Sequence, residues 1–198
     1  MTALSRTARA GRSGGGVDLS AAVDGAAAGD ELAFGLLWRE FNPSLRRYLG
    51  VVAPGWADDL ASETWHDVVR DLHRFQGDEQ GFRSWLFTIA RHRALDWKRR
   101  EASRPAAPVP VEYLTDRRAP DDTAGAALEE LSTAAALALV RRLPPDQAEV
   151  ISLRVLAGLD VAHVATVTGR RPGTVRVLAH RGLRRLAALL AAEDPGTP

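Results

Sequence analysis

The chain has 198 residues, with 26 Lys plus Arg against 25 Asp plus Glu, a formal net charge of +1 and no cysteine. Disulfides, thiolate zinc sites and thiol chemistry are therefore excluded, and any affinity for nucleic acid must come from local patches rather than overall charge. No apolar run approaches the roughly 18–20 residues that span a bilayer, and the N-terminus MTALSRTARAGRSGGG lacks the apolar segment of a secretory signal, so a cytoplasmic location is expected.

Residues 1–29 are rich in Gly, Ala and Ser, offer few apolar anchors, and read as a disordered tail. A helical pattern follows from about Asp30, with Leu32, Leu36, Leu37, Phe41, Leu45, Tyr48 and Leu49 at helical spacing and Pro43 marking a kink or break. VAPGW at 52–56 is a turn. A second helix from about Ala57 to Arg74 buries Leu60, Thr64, Trp65, Val68 and Leu72. Its outer face starts purely acidic, with Asp58, Asp59, Glu63 and Asp67. After the loop FQGDEQG at 75–81, a third helix from Phe82 to about Glu101 sets an apolar side of Trp85, Leu86, Ile89, Ala90, Ala94 and Trp97 against a crowd of Arg, His and Lys.

Pro105, Pro108, Pro110 and Pro120 interrupt residues 102–127, which read as a tether carrying a short apolar island, VPVEYL at 109–114. Helix resumes at about Leu128 and runs to Arg142. Pro144 and Pro145 break it, and a further helix spans Asp146 to Ala157.

The stretch 160–186 is the most informative. Asp160 is placed to cap a helix, Gly169 to end it in the left-handed region, and Pro172 to start the next one with its φ already set. Val175, Leu178, Leu183, Leu186 and Leu190 then form an apolar stripe, while residues 170–185 hold six arginines and no acid. A short helix, a tight turn and a strongly basic second helix make the helix-turn-helix pattern, whose second helix enters the DNA major groove. A solvated helical hairpin is the plainer alternative.

Catalytic and phosphate-cradling motifs are missing: there is no Walker-type or dinucleotide-type glycine loop, no H-E-x-x-H and no G-x-S-x-G. The five histidines lie far apart in sequence, and the Asp58, Asp59, Glu63 group reads as a solvated face or a docking patch rather than a metal cluster. No catalytic residue, metal or cofactor is expected.

In order and spacing, DDLASETWHDVVRDLHRF (58–75), FRSWLFTIARHRALDWKRR (82–100) and the segment 143–186 resemble the bacterial RNA polymerase sigma factors of the sigma-70 family, in the small extracytoplasmic-function (ECF) group. The resemblance implies an all-α chain of two small helical domains. A three- or four-helix promoter-melting domain covers 30–101, a flexible Pro-rich linker 102–127, and a helix-turn-helix domain 128–191, with a short tail at 192–198 and no further C-terminal domain expected.

The resemblance implies a transcription initiation factor, not an enzyme, that binds core polymerase through its β and β′ subunits and recognises promoter −10 and −35 elements. An anti-sigma factor is a further candidate partner, and no membrane insertion is implied. Asp59, Glu63 and Asp67 would dock on the β′ clamp helices. Arg91, His92, Asp96, Trp97, Arg99 and Arg100 would face the −10 element, with loop 75–81 pocketing a flipped base. Arg171, Thr174, Arg176, Val177, His180 and Arg181 would face the −35 element. Trp85 is expected in the core, whereas Trp97 suits either the core or the DNA face. The tether, with Asp116, Asp121 and Asp122, would thread toward the active-site cleft or serve as a plain spacer.

The chain departs from the family at Ser62, where Gln is usual, at Arg93, where an apolar residue is common, at Arg171 in place of a capping Ser, and at Val177–Leu178 in place of a Ser-Arg pair. A stand-alone helix-turn-helix regulator is the alternative, though it leaves the 82–100 helix unexplained. A protein-interaction adaptor with incidental basic faces is a third reading.

Overall fold

The computed structural model describes residues 18–103 and 124–193. Eight α-helices make up the described residues: α1 (Leu19–Ala27), α2 (Glu31–Val52), α3 (Ala57–Asp71), α4 (Glu79–Ala102), α5 (Ala124–Arg141), α6 (Pro145–Val155), α7 (Val161–Thr168) and α8 (Pro172–Glu193), with one 3-10 turn at Leu72–Arg74. The tether's apolar island and its acids lie outside the described residues.

Helix α1 corrects the expectation of a tail disordered through residue 29. The Asp18 carboxylate accepts from the Ser20 and Ala21 backbone N–H groups at 3.1 Å and caps the helix. Ala22, Val23 and Ala26 are buried against α2. A Cβ added at Gly25 would stand 3.0 Å from the Ala33 Cβ, so the two backbones approach as closely as a glycine allows. Small residues that look like low-complexity sequence are what this approach requires.

Helix α2 also differs from expectation. It runs unbroken from Glu31 to Val52 with Pro43 inside it, on the solvent side. Its inward stripe of Leu37, Phe41, Leu45, Tyr48 and Leu49 forms the centre of the core with Phe82, Leu86, Phe87 and Ala90 of α4 and Leu60, Trp65 and Val68 of α3. The Trp65 indole N–H donates to the Asn42 side-chain oxygen at 3.1 Å, and Phe34 meets the Trp65 ring edge-on. Burying an aromatic of this kind is worth a few kcal/mol, about 3–5 by truncation to Ala.

The C-terminal helices form as the local signals dictate. Asp160 accepts from the His163 N–H at 2.8 Å, and that backbone bond is the main cause holding its carboxyl below the usual range. Gly169 sits at φ +67, where a side chain would be strained, and α8 begins at Pro172. Gly182 sets the crossing of α8 over α6, because a Cβ there would stand 2.9 Å from the Ile151 Cγ1.

The two helical domains that the sequence leads one to expect are present, and they pack against each other. Val150, Leu153, Ala157, Leu159 and Val164 belong to the same buried cluster as the residues of α2 and α4. Val51 of α2 joins Leu143, Ala148 and Ile151 in a second cluster. The apolar residues that would finish two separate cores face each other across one boundary.

Candidate nucleic-acid interface

Helix α8 has an anchored side and an open side, and it corrects part of the expected apolar stripe: Leu183 and Leu190 are exposed rather than packed. Val175 and Gly182 are buried, and Leu178, Ala179, Leu186 and Leu189 are half-buried against α6 and α7. Arg171, Thr174, Arg176, Val177, His180 and Arg181 are all exposed, as are Arg184 and Arg185. Val177 points outward and Leu178 inward, as their spacing from Val175 requires. Arg170 leaves this face to pair with Asp146 of α6 at 2.7 Å, bracing the turn between α7 and α8. The result is a row of cations on one helix, anchored by an apolar seam on the other side.

The six candidates on α4 are separated rather than gathered. His92, Asp96 and Arg99 lie one turn apart on an exposed row, with Asp96 paired to Arg99 at 2.9 Å. Arg100 donates from Nε to the Asp96 carbonyl at 3.3 Å. Trp97 is half-buried and tilts against Trp56 at 5.9 Å. These two tryptophans, with Asp59, Glu63, Arg100 and Glu101, line a cavity of about 390 Å³ that joins the acidic start of α3 to the end of α4. Arg91 is not on the open face. Its Nε donates to Glu149 of α6 at 3.0 Å, with the two side chains only 17% and 14% exposed. As the free chain stands, Arg91 is unavailable to DNA.

On the acidic face, Asp59 is exposed and Glu63 half-exposed, but Asp67 is buried. Its carboxylate accepts from Arg70 Nη1 at 2.7 Å and from Arg93 Nε at 2.6 Å, and Arg93 also reaches Glu63 at 3.4 Å. Asp67 therefore ties α3 to α4 rather than offering a free charge. Arg70 also hydrogen-bonds Asp71 and thereby holds that carboxyl below its usual range.

Between the two helices, Phe75 stacks on Trp85 at 5.1 Å, and Phe82 meets Phe75 at a right angle at 5.8 Å. Trp85 is half-buried, so it packs in the wall of the core yet keeps an edge toward a shallow cleft it shares with His92, Arg93 and Asp96. No group of three or more His, Asp or Glu among the described residues is arranged to hold a metal ion.

This geometry has known counterparts. The Sigma-70 region 2 family matches residues 37–104 and Sigma-70, region 4 matches residues 126–186. The ECF RNA polymerase sigma factor BldN of Streptomyces coelicolor is 38% identical over 174 residues, covering 85% of this chain and 64% of BldN. ShbA of Streptomyces griseus is 34% identical, covering 86% of this chain and 94% of its own length.

The chain belongs to the ECF sigma factors of the sigma-70 family. As such it is a promoter-directing transcription initiation factor and not an enzyme.

Among solved structures, CnrH in complex with the cytosolic domain of CnrY has the same fold, with a TM-score of 0.60 at 24% identity over 88% of this chain and 99% of that one. The RpoE sigma factor of Bartonella quintana, bound to the anti-sigma factor NepR, gives 0.56 at 23% over 79% and 96%.

Within this sigma factor, region 2 spans nearly all of α2 through α4, and region 4 spans α5 to the middle of α8. Helix α1 precedes both. Sequence reasoning missed Glu149, Tyr48 and Arg83 as members of the interface. Tyr48 of α2 is fully buried beside Glu149, and burial first, then the neighbouring carboxylate, pushes its hydroxyl well above the usual range. Arg83 lies over the Phe41 ring at 4.9 Å and donates to the Ala157 carbonyl at 3.1 Å. Their only sequence signal was the eight-residue step from Arg83 to Arg91, which places both on one side of α4.

Proposed function

We propose that this sigma factor reads promoters through two faces, the arginine row of α8 on the −35 element and the exposed side of α4 on the −10 element, while the acidic start of α3 docks on core polymerase. The observation that carries this reading is the α8 face: Arg176, Arg181, Arg184 and Arg185 are all exposed on one apolar-anchored helix, with Arg171 exposed just before it. Cations so placed neutralise phosphates and reach base edges in a major groove.

On α4, Arg99 and Arg100 supply charge and His92 an exposed ring beside the Phe75–Trp85 stack, a combination suited to splayed single strands. Asp59, exposed, and Glu63, half-exposed beside Arg93, are the docking carboxylates, and the clamp surface of the polymerase β′ subunit is the partner, with the flap of the β subunit meeting α8. Arg91 contacts the −10 strand once the two halves separate, and Asp67 acts by holding α3 on α4. An anti-sigma factor is a fitting inhibitor, since the RpoE relative is bound by one. The site of action is the cytoplasm; no helix among the described residues is long and apolar enough to cross a membrane.

Run-off transcription from genomic promoter fragments tests the reading. Core polymerase should give specific transcripts only when this chain is added, and the free chain should not protect duplex promoter DNA by itself. Specific duplex binding without core would favour a stand-alone regulator instead.

A further inference from the structure

The promoter-reading account requires Arg91 and α4 to face DNA, yet in the free chain both face region 4. Arg91, held at 17% side-chain exposure against Glu149, can meet DNA only when the boundary between the halves opens.

That boundary is built around a few polar contacts set in apolar packing. Glu149 of α6 accepts from Arg91 of α4 and lies beside the buried hydroxyl of Tyr48 on α2. Phe87, one turn before Arg91, meets the Tyr48 ring edge-on at 5.4 Å. At the other end, Arg83 donates to the Ala157 carbonyl and pairs with Glu79 at 2.5 Å. Gly158 at φ +65 lets the chain pass so near Arg83 that a Cβ would stand 3.0 Å from its Nη1.

We propose that Glu149 is an internal competitor for Arg91: its carboxylate occupies the guanidinium that a DNA phosphate would take, and it latches region 4 onto the −10 helix in the free sigma factor. Closure and DNA contact by Arg91 exclude each other. The apparent affinity of the −10 face is then reduced by the fraction of chains that are open, and any partner that separates the halves restores it. The proposal rests on the promoter-reading account for the role of Arg91.

The full chain has no cysteine, so paired labels can be placed at will. Glu40→Cys on α2 and Ala188→Cys on α8 are both exposed and outside the latch. Energy transfer between fluorophores there should be high in the labelled parent. It should fall in Glu149→Arg, which sets two guanidinium groups against each other, and to a lesser degree in Glu149→Gln. Adding Arg91→Glu to Glu149→Arg should bring transfer back, because the pair is re-formed with its charges exchanged.

In parallel, binding of a mixed-sequence single-stranded DNA oligonucleotide at low salt should tighten about tenfold in Glu149→Gln, as the open fraction rises. Helical CD confirms that each variant is folded; if Glu149→Arg unfolds, Glu149→Gln carries the test alone. Unchanged transfer in a folded Glu149 variant would overturn the latch. A fall in transfer with no gain in DNA binding would overturn the competition. Neither result touches run-off transcription, whose failure would instead strike the promoter-reading account.

Discussion

Arg93 stands where an apolar residue is common in the family, and the structure gives the departure a reason. Its guanidinium bridges the buried Asp67 and the half-exposed Glu63, so a carboxylate that would otherwise be costly on the inner side of α3 is paired twice, by Arg93 and Arg70. Arg93→Ala removes one of the two partners. It should lower the unfolding free energy by about 1–3 kcal/mol, read as a drop in urea midpoint without a change in slope. An unchanged midpoint would mean that Arg70 alone satisfies Asp67.

Arg176 makes the corresponding case on α8. If it contacts a base pair bidentately, Arg176→Ala should cost the holoenzyme roughly 1–3 kcal/mol and relax preference at one −35 position. If it meets only phosphate, binding should fall about equally on all sequences and the salt slope should shrink by about one. Val177 beside it can touch a thymine methyl but cannot hydrogen-bond, so few base contacts are expected to set −35 discrimination. A salt series on −35 variants separates the outcomes. No change in either quantity would remove Arg176 from the DNA face.

At the scale of elements, what was legible in the sequence was what is local. The α7–turn–α8 unit could be read residue by residue, because Asp160, Gly169 and Pro172 each carry their own conformational reason. The acidic start of α3 could be read too, but not that Asp67 turns inward, since its partners lie 3 and 26 residues away. Helix α1 was hidden because alanines and a glycine pack a backbone closely without an apolar pattern large enough to see. Glu149 looked like any solvent-facing acid, since nothing near it in sequence reveals Arg91, 58 residues distant.

The element that remains open for docking is the face of α3 bearing Asp59 and Glu63. Charge reversal there, Asp59→Arg with Glu63→Arg, should weaken pull-down of core polymerase and leave helical CD intact. Undiminished pull-down would mean that core binds elsewhere.

At the scale of the whole molecule, the two helical domains share one buried apolar cluster. The packing of α2 on α6 and of α4 on α7 is apolar and continuous with the interior of each half, so it holds the halves together until a partner separates them. A protease site inserted between residues 104 and 123 should therefore yield, on cleavage, two fragments that co-elute by size exclusion at micromolar concentration. Fragments that separate would restore the independent-domain picture.

The central claim is that α4 opens the promoter while α8 anchors it. Permanganate footprinting of the reconstituted holoenzyme on a duplex promoter measures this most directly, because it reports unpaired thymines in the −10 region. Replacing His92, Arg99 and Arg100 with Ala should reduce that reactivity on duplex DNA, and a template already melted over the −10 region should recover most of the transcription lost. Full reactivity of the triple variant on duplex DNA would contradict the assignment of promoter opening to the exposed face of α4.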